Sequence, residues 1–92
     1  DSASDKVFIY PNPNDGRFRI RYYSNAQNFN FLRTVLIYDS KGALVYNKQL
    51  LVTGPYSAMD IDIRNKPQGL YVIVVADDKG RHLAEGKVVV AR

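Results

Sequence analysis

The stretch "RFRIRYY", residues 17–23, alternates between apolar and basic side chains and is the clearest folding signal in the chain. In an extended strand side chains alternate between the two faces, so the apolar set falls on one face and the arginines on the other. The apolar set is Phe18, Ile20 and Tyr22, and the basic set is Arg17, Arg19 and Arg21. This pattern predicts an antiparallel strand with one buried and one solvated face.

The same period of two recurs along the chain, with turn residues every 8 to 12 positions and almost no helix signals. We predict seven strands, at residues 7–10, 17–23, 32–38, 43–50, 59–64, 71–75 and 83–90. Residues 71–75 are apolar on both faces and are therefore expected at the centre of a sheet. The predicted fold is all-β, an immunoglobulin-like antiparallel β-sandwich of about seven strands.

Turn chemistry supports this arrangement. "DSKG" at 39–42 and "DDKG" at 77–80 each place Asp at the first and Gly at the fourth position of a type I turn, which predicts two hairpins. "YPNPNDGRF" at 10–18 contains two prolines, which cannot donate to a ladder and which hold the preceding residues extended. We expect a rigid corner between the first two strands.

The 92 residues suffice for one domain, and 46% hydrophobic residues can fill one core. The absence of cysteine excludes disulfides, thiol catalysis and thiolate metal sites. No apolar run approaches the roughly 20 residues of a membrane-spanning helix. Because the chain does not begin with Met, we expect it to be a piece of a longer protein.

The oxygen-rich corner does not fit a ligand site. If Gly16 is the sixth residue of a calcium loop, Pro11 and Pro13 occupy ligand positions and Tyr22 stands where a bidentate Glu belongs. A phosphate loop would need a Gly-rich run ending in Lys-Ser or Lys-Thr. We predict no metal and no cofactor.

The sequence also lacks a convincing set of catalytic residues. His82 is the single histidine, and no motif places a nucleophile or a second base beside it. Asp60 and Asp62 share one strand face, a pattern more typical of a solvated surface than of paired catalytic carboxylates. We predict no catalytic residues and no enzymatic activity.

The stripe Arg17, Arg19 and Arg21, in a chain of net charge +4, is a candidate site for an anionic partner. Solvent-facing arginines also protect strands from aggregation, so both readings stay open. The pattern does not favour nucleic acid. An exposed tyrosine, Tyr23 or Tyr46, would instead serve a carbohydrate-binding or adhesion module, which is the alternative function.

Five stretches in order carry a resemblance: "YPNPNDGRF" at 10–18, "VLIYDSKGALVY" at 35–46, "MDIDI" at 59–63, "GLYVIVV" at 69–75 and "GKVVV" at 86–90. Together they resemble the type A C-terminal sorting domain of proteins exported by the type IX secretion system of Bacteroidota. The resemblance covers nearly the whole chain. It predicts a linker from an upstream cargo domain at residues 1–6 and the sorting domain at residues 7–92.

The resemblance implies a sorting signal that directs a cargo protein from the periplasm across the outer membrane, to the cell surface or beyond. Its implied partners are the translocon, an outer-membrane shuttle protein and a sorting cysteine peptidase. That peptidase often cuts on the N-terminal side of the domain and attaches the cargo to anionic lipopolysaccharide. The identity of the cargo and the occurrence of cleavage stay open.

The resemblance also marks positions for recognition by this machinery. They are Pro11, Asn12, Pro13, Gly16, Asp39, Gly42, Gly69, Tyr71, Lys87, Val88, Val89 and Val90. Each of these residues also has a role in folding, so the sequence leaves open whether the machinery recognises it or whether it is needed only for the fold. Lys87 is the residue whose charge is least needed for packing. We expect the last strand to offer an exposed edge for backbone pairing, and an unpaired edge also permits a homodimer.

Overall fold

The computed structural model describes residues 5–92. Seven strands make up its regular structure: β1 (Lys6–Tyr10), β2 (Arg17–Tyr23), β3 (Phe31–Tyr38), β4 (Leu44–Val52), β5 (Tyr56–Asp62), β6 (Gly69–Ala76) and β7 (His82–Val90). The described residues contain no helix, and so none that could cross a membrane. The prediction of an all-β chain with seven strands is confirmed.

The strands form two antiparallel sheets that pack as a β-sandwich. One sheet has the order β1-β2-β5 and the other the order β4-β3-β6-β7. Because β4 pairs with β3, it belongs to the second sheet, which therefore has four strands, whereas the first sheet has three. β6 lies between β3 and β7, so the prediction that the strand around residues 71–75 is central is confirmed.

The core forms between the two layers, mostly from alternate residues of each strand; in β6, Val74 and Ala76 on the other face are buried as well. Phe18, Ile20 and Tyr22 of β2 are buried, while the three arginines between them are exposed, as the alternation predicts. The four-stranded sheet contributes the other half of the core, including Val35, Ile37, Tyr71, Ile73, Val75, Val88 and Val90. Burial of this apolar surface is the main favourable term in folding.

Two hairpin turns repeat the same local chemistry. The Asp39 Oδ1 accepts hydrogen bonds from the backbone N–H groups of Lys41 and Ala43, both at 2.9 Å. The Asp77 Oδ1 accepts from the second and fourth residues after it in the same way, also at 2.9 Å. Gly42 has a φ of 86°, in the left-handed region that the sequence predicts for this position.

Several strand boundaries differ from the predicted ones. β5 begins at Tyr56, three residues before the predicted strand, because Tyr56 pairs with Tyr23 at the end of β2. β1 begins at Lys6, inside the predicted linker, because Lys6 also pairs with Tyr23. The remaining linker residues 1–4 lie outside the described residues.

The strand directions divide the sandwich into two ends. Within each sheet the odd-numbered strands run one way and the even-numbered strands run back. The residues that follow β1 contact the end of β7, so the odd-numbered strands of both sheets end at the same side. We call the end where the odd-numbered strands start the N-terminal pole; it carries residues 24–30, 53–55 and 77–81. The opposite end, the C-terminal pole, carries residues 10–16, 39–43, 63–68 and 91–92.

Candidate functional site

The corner at residues 10–16 is held together by Asn14, which is buried. The Asn14 Nδ2 donates to the carbonyl of Pro11, and the Asn14 Oδ1 accepts from the N–H of Gly16, both at 2.8 Å. The peptide bonds before Pro11 and Pro13 are cis. The predicted corner is present, and one amide side chain fixes its shape by bonding to both of its ends.

Gly16 is the position in the corner where a side chain does not fit. Its φ is 113°, which L-residues with a Cβ rarely adopt. A Cβ there would approach the Cα of Arg64 to 2.9 Å. Its carbonyl meanwhile accepts from the N–H of Ile63 at 2.8 Å, which joins the corner to the end of β5.

The corner binds the outer edge of β7. The Asn12 side chain accepts from the N–H of Val89 and donates to the carbonyl of Lys87, both at 3.0 Å. The Asn14 backbone donates to the carbonyl of Val89 at 3.0 Å and accepts from the N–H of Ala91 at 2.7 Å. The expectation of an exposed edge on the last strand is therefore wrong over residues 87–91, because the corner already occupies its hydrogen-bonding groups.

Arg92 extends this connection beyond the strand. Its Nε donates to the carbonyl of Asp15 at 3.1 Å, and one terminal nitrogen donates to the carbonyl of Arg64 at 2.9 Å. Its backbone N–H donates to the Gln68 side chain at 3.2 Å. One guanidinium thus satisfies carbonyls from two separate loops, which its fork of five donors makes possible.

The turn at 39–42 and the start of β6 line one cleft of about 230 Å³ at the same pole. Its lining residues include Asp39 and Lys41 of the turn and Gly69 and Tyr71 of β6. The Tyr71 hydroxyl donates to the carbonyl of Pro67, which fixes the entry into β6. This contact gives Tyr71 a structural role of the kind seen where an immunoglobulin-type strand begins at a corner.

The structure therefore brings all twelve predicted recognition positions to the C-terminal pole. They come from four segments far apart in sequence: the corner (Pro11, Asn12, Pro13, Gly16), the turn (Asp39, Gly42), the start of β6 (Gly69, Tyr71) and the end of β7 (Lys87, Val88, Val89, Val90). Their side chains differ in direction. Tyr71, Val88 and Val90 are buried in the core, whereas Lys87 and Val89 are exposed.

The three arginines of β2 lie on the outer face of the other sheet. The stripe begins at the same pole, where Arg17 follows Gly16 and lines a pocket together with Pro11. Arg19 forms an ion pair with Asp60 at 2.8 Å, and this contact lowers the pKa of the Asp60 carboxyl. Arg21 lies over the rings of Tyr10 and Tyr56, at 5.9 and 5.7 Å from their centroids. Two members of the stripe thus have partners within the domain, and Arg17 forms no ion pair in residues 5–92.

The acidic pair on β5 is part of this surface. Asp60 pairs with Arg19, and Asp62 pairs with Arg64 at 2.8 Å. Hydrogen bonds from the Arg64 side chain and backbone lower the pKa of Asp62 to about 2. Both carboxylates are thus held ionised by neighbouring arginines, which suits a solvated strand face and not a general acid.

Other candidate sites do not assemble. Within residues 5–92 no three His, Asp or Glu side chains come together as metal ligands. His82 lies exposed at the start of β7, at the N-terminal pole. Tyr23 and Tyr46 lie on different sheets, so they do not form one platform for a carbohydrate.

Residues 8–91 match the family described as the secretion system C-terminal sorting domain. The chain belongs to this family. The match covers the corner, both hairpin turns and the last strand of the sorting domain. No match to a curated protein was found.

Membership of this family gives the function of the sorting domain. It is the C-terminal signal of type IX secretion, a system of Bacteroidota, which exports proteins across the outer membrane to the cell surface or beyond. It implies interaction with the secretion machinery and its sorting peptidase. A family of sorting signals is not an enzyme family.

Sequence reasoning missed the residues that connect the segments of the C-terminal pole. Asn14 and Arg92 act through backbone groups of distant residues, and no local pattern indicates such partners. The outward position of Leu70 was missed as well, because residues 70–75 are all apolar and their sequence does not distinguish the inner from the outer face.

Proposed function

We propose that the secretion machinery recognises the sorting domain at its C-terminal pole. The observation that supports this is the convergence of four segments carrying the family-pattern positions on one end of the sandwich. Segments that are read together must be presented together, and the corner, the last strand and Arg92 form one hydrogen-bonded unit. The translocon and the outer-membrane shuttle protein are the proposed readers.

The position of the chain's entry supports the same assignment. Asp5 accepts a hydrogen bond from the hydroxyl of Tyr22 at the N-terminal pole, and β1 starts at the next residue. Cargo attached ahead of residue 5 would emerge at that pole. The sandwich is 40 Å long, so cargo and recognition surface would lie at opposite ends.

The proposed route follows from this arrangement. The cargo crosses the periplasm with the sorting domain folded at its C-terminal side, and the translocon passes both across the outer membrane. The sorting peptidase then cuts within the linker ahead of β1, and the cargo is attached to anionic lipopolysaccharide. The sorting domain contributes no catalytic group and no cofactor to these steps.

The recognition surface is better assigned to side chains than to the outer edge of β7. Pairing a partner strand along residues 87–91 would first require the release of the hydrogen bonds from Asn12 and Asn14. Each such bond contributes about 1 kcal/mol net. A partner that reads outward side chains would leave all of them in place.

The test is export of a reporter protein in a Bacteroidota host. A reporter with an ordinary secretory signal is fused ahead of the 92-residue chain and expressed with and without a working translocon. We expect the reporter outside the cell only when both the chain and the translocon are present, and with the mass of a cut product if the peptidase acts. Retention of the fusion in the periplasm of the intact host would contradict the proposal.

Deleting residues 88–92 is not a suitable test by itself. The deletion removes Val88 and Val90, which are fully buried or nearly so, together with Arg92. Loss of export would then report an incomplete core as readily as a lost signal. Surface substitutions that keep the core are needed instead.

A further inference from the structure

An apolar surface lies on the outer face of the four-stranded sheet at the C-terminal pole. The strand registers place four residues in one row across the sheet, Leu44, Tyr38, Val72 and Lys87. Leu70 and Val89 pair directly in the adjoining row. We call these six residues the pole patch.

Three apolar residues of the pole patch are exposed. Leu44, Leu70 and Val89 are 49%, 42% and 43% exposed. Single exposed apolar residues are ordinary, but a contiguous group on one face is typical of a surface that another molecule covers. Tyr38 and Val72 are partly buried, and Val74, farther along the same face of β6, is 2% exposed. Leu44, Leu70 and Val89 are thus the exposed apolar residues of the pole patch.

Alternation separates two kinds of family-pattern positions in β6 and β7. Tyr71, Val88 and Val90 face inward and fill the core, so folding explains their chemistry. In β7, Lys87 precedes Val88 and Val89 lies between Val88 and Val90, and both face outward. Folding does not require a lysine and a β-branched apolar residue there, which makes the outward positions the ones available for a partner.

Lys87 defines the charge of that partner. The Lys87 ammonium forms no ion pair among the described residues. Covering the pole patch removes this charge from water, which is costly unless an anionic group meets it. The matching surface must therefore be apolar and carry a carboxylate that reaches Lys87.

The same charges favour a protein over a lipid surface. Recognition of anionic lipid generally uses clusters of several Lys or Arg residues. The pole patch has one cation, and Glu85 lies two residues before it on the same face of β7. A single carboxylate on a protein can be placed opposite Lys87 and away from Glu85.

We infer that the pole patch is the surface by which the sorting domain docks on a protein of the secretion machinery, against an apolar surface with a carboxylate facing Lys87. This inference rests on the proposed function, and adds to it the face that is read and the chemistry of the partner. It also distinguishes the family-pattern residues that contact the partner from those that only stabilise the fold.

Two double variants test the apolar part. L70T/V89T changes a directly paired couple inside the pole patch, and L32T/L51T changes a directly paired couple on the same outer face at the N-terminal pole. Leu32 and Leu51 are 49% and 54% exposed, so the control is at least as exposed as the test pair. We expect at least about a ten-fold loss of exported reporter for the first variant, corresponding to 1.4 kcal/mol of binding, and wild-type export for the second.

Two substitutions at Lys87 test the charge. Lys87→Arg keeps the cation and should keep export, whereas Lys87→Glu should reduce export at least about ten-fold. We expect circular dichroism spectra and thermal melts of the purified chains to show that every variant is folded. Equal export by wild type, L70T/V89T and Lys87→Glu would overturn the inference and leave the proposed function standing; failure of the wild-type fusion would overturn the proposed function itself.

Two further measurements exclude other occupants. Sedimentation of the purified chain should show a monomer, and a dimer abolished by L70T/V89T would instead assign the pole patch to a second copy of the chain. The chain should not co-sediment with vesicles of phosphatidylethanolamine and phosphatidylglycerol. Vesicle binding that depends on Leu70 and Val89 would replace the protein partner with a membrane.

Discussion

The Asn12 side chain bridges the backbone on both sides of Val88, donating to the Lys87 carbonyl and accepting from the Val89 N–H, each at 3.0 Å. An amide with one donor and one acceptor side matches the spacing of a strand edge, where outward N–H and C=O groups alternate. The corner near the start of the domain thus behaves as a short additional strand beside the last one.

Asn12→Ala should therefore weaken the attachment of β7. Two exposed hydrogen bonds are lost, so we expect a decrease in the free energy of unfolding of about 1 kcal/mol, measured by urea denaturation. Amide hydrogen exchange at Val89 should become faster by a larger factor than exchange in the central strand β6. Asn47→Ala is the control, since Asn47 is an exposed asparagine of β4 with no side-chain hydrogen bond in the described chain. Equal exchange at Val89 in all three proteins would contradict the bridge.

Gly16→Ala should be among the most damaging single-methyl additions in the domain. The left-handed φ and the 2.9 Å approach to the Arg64 Cα both oppose a Cβ, so we expect a loss of about 2 kcal/mol or more. In a domain of this size that loss lowers the melting temperature by about 10 °C. Gly54→Ala is the matched control, because a Cβ at Gly54 meets nothing within 4 Å. A melting temperature for Gly16→Ala equal to that of the control would show that the corner relaxes.

The same substitution should change stability very differently at two neighbouring valines of β7. Val88→Thr places a hydroxyl in a fully buried position and should cost about 1–3 kcal/mol of stability. Val89→Thr keeps the β-branched shape at an exposed position and should change stability by less than about 0.5 kcal/mol. Urea denaturation of both variants measures the difference. Similar losses would mean that Val89 is not on the outer face.

Stability should fall when the medium becomes acidic. Hydrogen bonds from Arg81, its backbone N–H foremost, lower the pKa of Asp77, and arginine contacts also lower those of Asp60 and Asp62. The folded state therefore favours the ionised carboxylates, and this stabilisation is fully present above the unfolded-state pKa of about 3.9. It is lost as the pH falls through the lower folded-state values, towards pH 2.

Thermal melts at pH values from 7 to 2 measure this dependence. We expect the melting temperature to drop mainly below pH 4, and the drop to be shallower in Asp77→Asn, which cannot ionise. Asp78→Asn, at the exposed neighbouring position of the same turn, is the control and should follow the wild-type curve. A wild-type slope in Asp77→Asn would show that the Asp77 carboxylate does not contribute.

Local patterns predicted most of the fold because each rests on neighbours in sequence. The alternation in residues 17–23 fixed the buried face of β2, and the two Asp-x-x-Gly turns fixed their hairpins through bonds spanning four residues. The start of β5 at Tyr56 was missed, because its first residues form a strand only through pairing with β2. β-propensity depends on such cross-strand partners and is weak without them.

The amino-acid sequence alone determined the fold class, the hairpins and, through its ordered motifs, the family of sorting domains. Only the tertiary structure decided that the corner, the 39–42 turn, the start of β6 and the end of β7 share one pole, and that Asn12 and Asn14 cover the edge of β7. Asn12 and Lys87 are 75 residues apart, and no periodicity reports a contact over that distance. The physical reason is that alternation sets the direction of each side chain within its strand, whereas the packing of the two sheets sets which strand ends meet.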